Sequence, residues 1–134
     1  MNKRPIQIHR LRFTKSGYED LQKEHADLTT ERPAVILDVQ KARELVDLKE
    51  NGYYQASKAK LRSIDSRLMR IAYDLKTAKI IDDQSTGSIN IGNTVTLANT
   101  DREITFQMVG DLEANPSEKK LSLLSPIGRA VEGK

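Results

Sequence analysis

Residues 15–46, KSGYEDLQKEHADLTTERPAVILDVQKARELV, decide the fold. Tyr18, Leu21, Leu28, Val35, Ile36, Val39, Ala42 and Leu45 recur there at helical spacing, and charged residues fill most of the positions between them. That pattern predicts one long amphipathic helix. Thr14 or Ser16 is placed to cap its start, and Pro33 removes one backbone donor in its middle, where a bend is expected. After a break at Asn51-Gly52, a second helical pattern runs from Tyr54 to Lys79 through Ala56, Leu61, Ile64, Leu68, Ile71, Ala72 and Leu75. Each helix has a single apolar stripe that only its neighbour can cover, so the two are expected to pack antiparallel as a hairpin. At 1.5 Å per residue, such a hairpin is on the order of 45 Å long, and its tip reaches well beyond a compact domain at its base.

Past residue 82 the pattern changes. Thr94–Ala98 and Glu103–Val109 read as two strands around the turn Asn99-Thr100-Asp101, the second alternating Ile104, Phe106 and Met108 against Thr105 and Gln107. Leu121–Leu124 reads as a third strand, and Ser125-Pro126 as a helix start with a serine cap and proline at the first helical position. Gly133 is its stop. The expected organisation is an α+β chain. A helical hairpin occupies residues 1–80, with an acidic tip at 43–52, and a small antiparallel β-rich domain occupies 81–134.

Composition narrows the function. With 37% hydrophobic and 31% charged residues among 134, the chain is neither disordered throughout nor a membrane protein, and no apolar run approaches the roughly 18 residues of a membrane span. A cytoplasmic location is expected. The absence of cysteine excludes disulfides and thiolate zinc sites, and His9 and His25 are too isolated for a histidine metal site. The net charge of +3 hides an asymmetry: residues 1–80 hold 17 Lys/Arg against 11 Asp/Glu, and residues 81–134 hold 5 against 8. Lys58, Lys60, Arg62, Arg67, Arg70, Lys76 and Lys79 face only Asp65 and Asp74 on the second helix, which predicts a strongly positive outer face.

The tip reads Arg43-Glu44-Leu45-Val46-Asp47-Leu48-Lys49-Glu50-Asn51. In helical geometry Asp47 and Glu50, three apart, share a face and can approach one hard cation. Two carboxylates cannot fill the octahedron of a magnesium ion, so such a site needs completion from elsewhere. On spacing alone the pair reads first as an ordinary solvated acidic pair near a helix end.

Four further motifs carry a resemblance. These are Glu31-Arg32-Pro33 in mid-helix, Ala42-Arg43-Glu44 followed by Asp47-Leu48-Lys49-Glu50-Asn51 at the tip, the closing Ala78-Lys79-Ile80-Ile81-Asp82, and VGDLEANP at 109–116 with SPIGRA at 125–130. Together they resemble the Gre family of bacterial transcript-cleavage factors over nearly the whole chain. The resemblance implies a C-terminal domain like that of FK506-binding proteins. It implies an accessory factor, not itself an enzyme, that binds RNA polymerase and inserts its hairpin into the secondary channel. There Asp47 and Glu50 would help hold a Mg²⁺ shared with the polymerase active site, none being bound by this chain alone, and the polymerase would cleave its backtracked RNA.

In that setting Arg43, Lys49, Asn51, Lys58 and Arg62 are expected to contact the RNA 3′ end or the channel, and Ser125, Pro126 and Ile127 to dock on the polymerase. Tyr53 and Tyr54 would support the tip, with Tyr54 in the hairpin core. No membrane or small-molecule substrate is implied. Val46 stands where the family usually has glycine, Gly52-Tyr53 replace the usual Ala-Glu, and Leu124 replaces a polar residue. These motivate two other readings, a channel occupant that regulates polymerase without promoting cleavage and a hairpin that binds nucleic acid directly through its basic helix. Family members also continue past Gly133-Lys134, so the C-terminal sheet is expected to be shortened, with an unpaired edge open to pairing between molecules.

Overall fold

The computed structural model describes residues 10–45, 51–81 and 87–134. In chain order its elements are β1 (Arg12–Phe13), α1 (Lys15–Arg43), α2 (Gly52–Thr77), β2 (Lys79–Ile80), β3 (Thr94–Ala98), β4 (Glu103–Val109), a 3₁₀ turn (Pro116–Glu118), β5 (Lys120–Ser122) and α3 (Pro126–Val131). They form two compact units, one made of the chain up to Glu19 together with Thr77–Lys134, the other of Asp20–Lys76. The fold class is the expected one, a long antiparallel helical hairpin followed by a small β-rich unit.

The hairpin is zipped along a heptad seam. On α1 it runs through Leu21, His25, Leu28, Arg32, Val35, Val39 and Ala42, and on α2 through Tyr54, Ser57, Leu61, Ile64, Leu68, Ile71 and Leu75, all buried or half-buried. The alternating steps of three and four keep one stripe facing the partner. Ala56 and Ala72, expected in the core, are exposed, and Ser57 takes the seam position instead, its hydroxyl satisfied by donating 2.6 Å to the carbonyl of Tyr53. The antiparallel register is shown by ion pairs between the helices, Glu24 early in α1 with Arg67 late in α2, and Glu31 and Arg32 farther along α1 with Lys60 and Asp65 farther back on α2. Pro33 lies inside α1 as read, and the hydroxyls of Thr29 and Thr30 bond back to the carbonyls of His25 and Ala26 in the turn before it.

These pairs reduce the positive charge expected of the outer face of α2. Three of the seven cations on and after α2, Lys60, Arg67 and Arg70, lie against carboxylates of this same chain. Arg70 approaches Asp74, whose side chain is 2% exposed, at 3.4 Å, and neither Asp74 oxygen accepts a hydrogen bond.

Two of the interhelical pairs carry a pH dependence. The two-pronged hydrogen bonds of Arg67 to Glu24, at 2.6 and 2.8 Å, hold that carboxyl below its ordinary value, and the Arg32 guanidinium does the same for Asp65. A depressed folded-state value stabilises the fold above the unfolded-state value, near pH 4, and that stability is lost as pH falls through the folded-state value. The hairpin is therefore expected to lose thermal stability on acidification below about pH 4. The double variant Glu24→Gln, Asp65→Asn should flatten that loss in melting curves followed by circular dichroism. An unchanged acid slope would show that these pairs carry none of it.

The β-rich unit has a three-stranded sheet in the order β3-β4-β5. The spans Thr94–Ala98 and Glu103–Val109 are as the alternation predicts. The third strand is shifted to Lys120–Ser122 and runs parallel to β4, so the sheet is mixed, not wholly antiparallel. Ile91, Val95, Phe106, Met108, Leu123 and Val131 form its core, with Ile81, Ile89 and Leu121 packed at the margin. α1 ends before its pattern does, and α2 lies two residues earlier than its pattern, at Gly52–Thr77. Glu44 and Leu45 form a turn after Arg43, and after Thr77 the chain enters β2, which pairs in parallel with β1 through Arg12 beside Lys79 and Phe13 beside Ile80.

Within this unit a polar knot holds the first turn of α1. Thr14 is the cap, its hydroxyl accepting from the Gly17 N–H at 3.0 Å. Glu113 supports the cap in turn, its carboxylate accepting from the N–H groups of Thr14 and Gly110 and meeting the Thr14 hydroxyl. Asp111 accepts from the Arg12 N–H and from two guanidinium nitrogens, at 2.8 to 3.3 Å. Gly110 is required by closeness, because a methyl group there would collide with the Arg12 carbonyl and the Glu113 carboxylate.

Candidate functional site at the hairpin tip

The segment joining α1 to α2 is bounded by one side chain. Asn51 sits just before α2, where its Oδ1 accepts from the Tyr54 N–H at 3.1 Å and caps the helix. Its Nδ2 donates to the Ala42 carbonyl at 3.0 Å, which also accepts from the Leu45 N–H at 3.3 Å in the turn that closes α1. A single amide thus closes both helix ends. Asp47, Lys49 and Glu50 lie outside the described residues, as does Val46.

Beside the Asn51 bridge is a cationic cluster. Lys58 places its Nζ 4.6 Å from the centre of the Tyr54 ring, and Arg43, the last residue of α1, hydrogen-bonds the phenol. The hydrogen bond from Arg43, with the charge of Lys58 adding to it, holds the phenol below its ordinary value. Tyr54 is thus only half-buried and joins two cations from different helices, a role beyond the core position expected for it. Arg62, one turn beyond Lys58 on α2, is exposed, and so is Tyr53. The structure therefore brings Arg43, Asn51 and Lys58 together around Tyr54. The cross-helix ring was missed because a tyrosine at seam spacing reads first as core.

The other expected contact group lies in the β-rich unit. Ser125 caps α3, its hydroxyl accepting from the Gly128 N–H at 3.0 Å and donating to the Ser122 carbonyl at 2.7 Å. Pro126 opens the helix, and Ile127 is 46% exposed, with Leu124 also open to solvent. A capped turn thus presents apolar side chains outward. Among the described residues no group of three or more acids or histidines is placed to hold a metal ion, and no helix is long and apolar enough to cross a membrane.

A capped helical hairpin followed by a small mixed sheet defines the class, and the comparisons identify it. Residues 11–80 match the N-terminal model described as transcription elongation factor, and residues 84–134 match the C-terminal GreA/GreB model. The chain belongs to the GreA/GreB family of transcription elongation factors. It is 40% identical to the transcription elongation factor GreA of Nitrosococcus oceani, over all of this chain and 84% of that protein. Its identity to the GreA of Pseudomonas putida is 39%, over 96% of this chain and 84% of that one. Among solved structures it is similar to GreA factor homolog 1 of Thermus thermophilus, with a TM-score of 0.51, 25% identity, and coverage of 94% of this chain and 84% of the other.

Proposed function

We propose that this protein is an RNA polymerase accessory factor that carries Asp47 and Glu50 into the secondary channel and stimulates cleavage of backtracked RNA. The observation that supports it most is the Asn51 bridge. It joins the ends of α1 and α2 and leaves the acid-bearing residues 46–50 as a short span between two fixed posts. Two carboxylates suit a hard cation that takes the rest of its ligands from elsewhere. A second Mg²⁺ in the polymerase centre would supply activation of the attacking water.

The chain's own residues do the rest. Asp47 and Glu50 add anionic ligation, while Arg43 and Lys58, held around Tyr54, favour the phosphates of the extruded RNA end. Arg62 offers a further cation on the same helix. Ser125, Pro126 and Ile127 dock on the polymerase through a rigid, partly apolar turn. Such a factor performs no catalysis alone and acts where the polymerase acts.

The test is a stalled, backtracked elongation complex incubated with and without the protein. Faster release of short RNA fragments from the 3′ end is the expected result. Slowed synthesis with no fragments would replace this reading with that of a channel occupant. Tight, salt-dependent binding to bare RNA without polymerase would favour a nucleic-acid-binding hairpin, against which the ion pairing of Lys60 and Arg67 within the chain already weighs.

A further inference from the structure

Of the six asparagines in the chain, Asn51 alone is followed by glycine. The fold does not require glycine at position 52. Its φ is not positive, unlike those of Gly87, Gly92 and Gly133, and a methyl group added there would meet nothing within 4 Å. Alanine, the better helix former, would fit the first position of α2.

What glycine leaves there is an open approach to the Asn51 side chain. Gly52 is exposed, and its N–H is among the first four of α2, which have no helical carbonyl to bond. The Asn51 side chain is bent toward the same row of amides, its Oδ1 accepting from the Tyr54 N–H at 3.1 Å. When a nitrogen attacks the amide carbon, negative charge develops on Oδ1, and the Tyr54 N–H is already in place to stabilise it. Asn51 thus combines an activated carbonyl with a neighbouring nitrogen that no side chain shields.

We propose that Asn51 is a site of spontaneous deamidation and that its conversion unfastens the tip of the hairpin. The backbone nitrogen of Gly52 gives its proton to solvent base and attacks the Asn51 amide carbon. The new C–N bond closes a cyclic imide, and the bond to Nδ2 breaks, the nitrogen taking up a proton and leaving as ammonia. Water then adds to one of the imide carbonyls, giving its proton to the ring nitrogen as that C–N bond breaks. Opening at the side-chain carbonyl yields aspartate, and opening at the backbone carbonyl yields isoaspartate.

Both products lack Nδ2, the donor to the Ala42 carbonyl. Aspartate sets in its place an oxygen that repels that carbonyl. Isoaspartate routes the backbone through the former side chain, so the cap on the Tyr54 N–H is lost as well. Either way the fastening between the ends of α1 and α2 is removed, and no oxidant, reductant or enzyme is needed to remove it.

The test is to age the full, folded chain in mildly alkaline buffer and map its peptides by mass spectrometry, separating the aspartate and isoaspartate isomers. Conversion at Asn51 ahead of every other asparagine is expected, and Gly52→Ala should suppress it. Asn51→Asp, made directly, should speed amide exchange at Leu45, whose N–H shares the Ala42 carbonyl. The expected change is roughly tenfold, the equivalent of one lost hydrogen bond. An Asn51 that stays intact in the folded chain while the unfolded chain converts overturns the proposal, and so does equal conversion in the Gly52→Ala variant. Unchanged exchange at Leu45 in the Asn51→Asp protein overturns the unfastening.

Discussion

Asp47→Asn together with Glu50→Gln is expected to abolish stimulated RNA cleavage while leaving polymerase binding intact. The replacements keep size and shape and remove only the charge that a hard cation needs. Charge stabilisation of this kind is worth several kcal/mol, which corresponds to a fall in cleavage rate of roughly 100-fold or more. Neither residue belongs to the Asn51 bridge, so the hairpin should melt as before. Rates on backtracked complexes, measured beside affinity for the polymerase, check both halves. Cleavage at the parent rate by a variant that still binds would remove the tip acids from the mechanism.

Glu113→Ala should be the more damaging change to the fold. It strips the acceptor from the N–H groups of Thr14 and Gly110 and the support from the Thr14 hydroxyl that caps α1. Stranding two backbone donors in a half-buried site costs about 3 kcal/mol, since each unsatisfied group costs roughly 1–3 kcal/mol. For a chain of this size that corresponds to a melting temperature lower by roughly 10 °C. Glu113→Gln keeps one acceptor oxygen and should fall between the two. If Glu113→Ala melts with the parent protein, the knot at the base of α1 is redundant.

The elements that sequence made legible are those whose signals are local. β3 and β4 fall where their alternation begins and ends, and Ser125-Pro126 starts α3 because a cap and a fixed proline φ leave little alternative. Thr14 was one of two cap candidates, and its hydroxyl is the one that bonds Gly17. The missing pieces depend on partners far along the chain. Two residues have no periodicity, so β1 and β2 were invisible, and the direction of β5 follows from its partner, not from its own side chains. The tally of cations on α2 overstated the positive face because the antiparallel register, which sets Glu24 against Arg67 and Glu31 against Lys60, is not in either helix alone.

At the tip the division is similar. The acidic spacing could be read directly, and asparagine before a helical run is a recognised start signal that would have marked Asn51 as a cap. Its second bond, to Ala42, spans nine residues and required the hairpin to be closed. Resemblance picked out the Val109–Pro116 stretch without giving it a task. Asp111 and Glu113 acquire one only when Arg12 and Thr14, 99 residues earlier, are brought beside them.

The Asn51 bridge bears on how such a tip can diversify. Because the two helix ends are fastened to each other by an amide outside residues 46–50, those five positions can change while that fastening is kept. The tip then behaves as an exchangeable insert, and a lineage, or an engineer grafting one tip onto another hairpin, can try new chemistries at the end of the same arm.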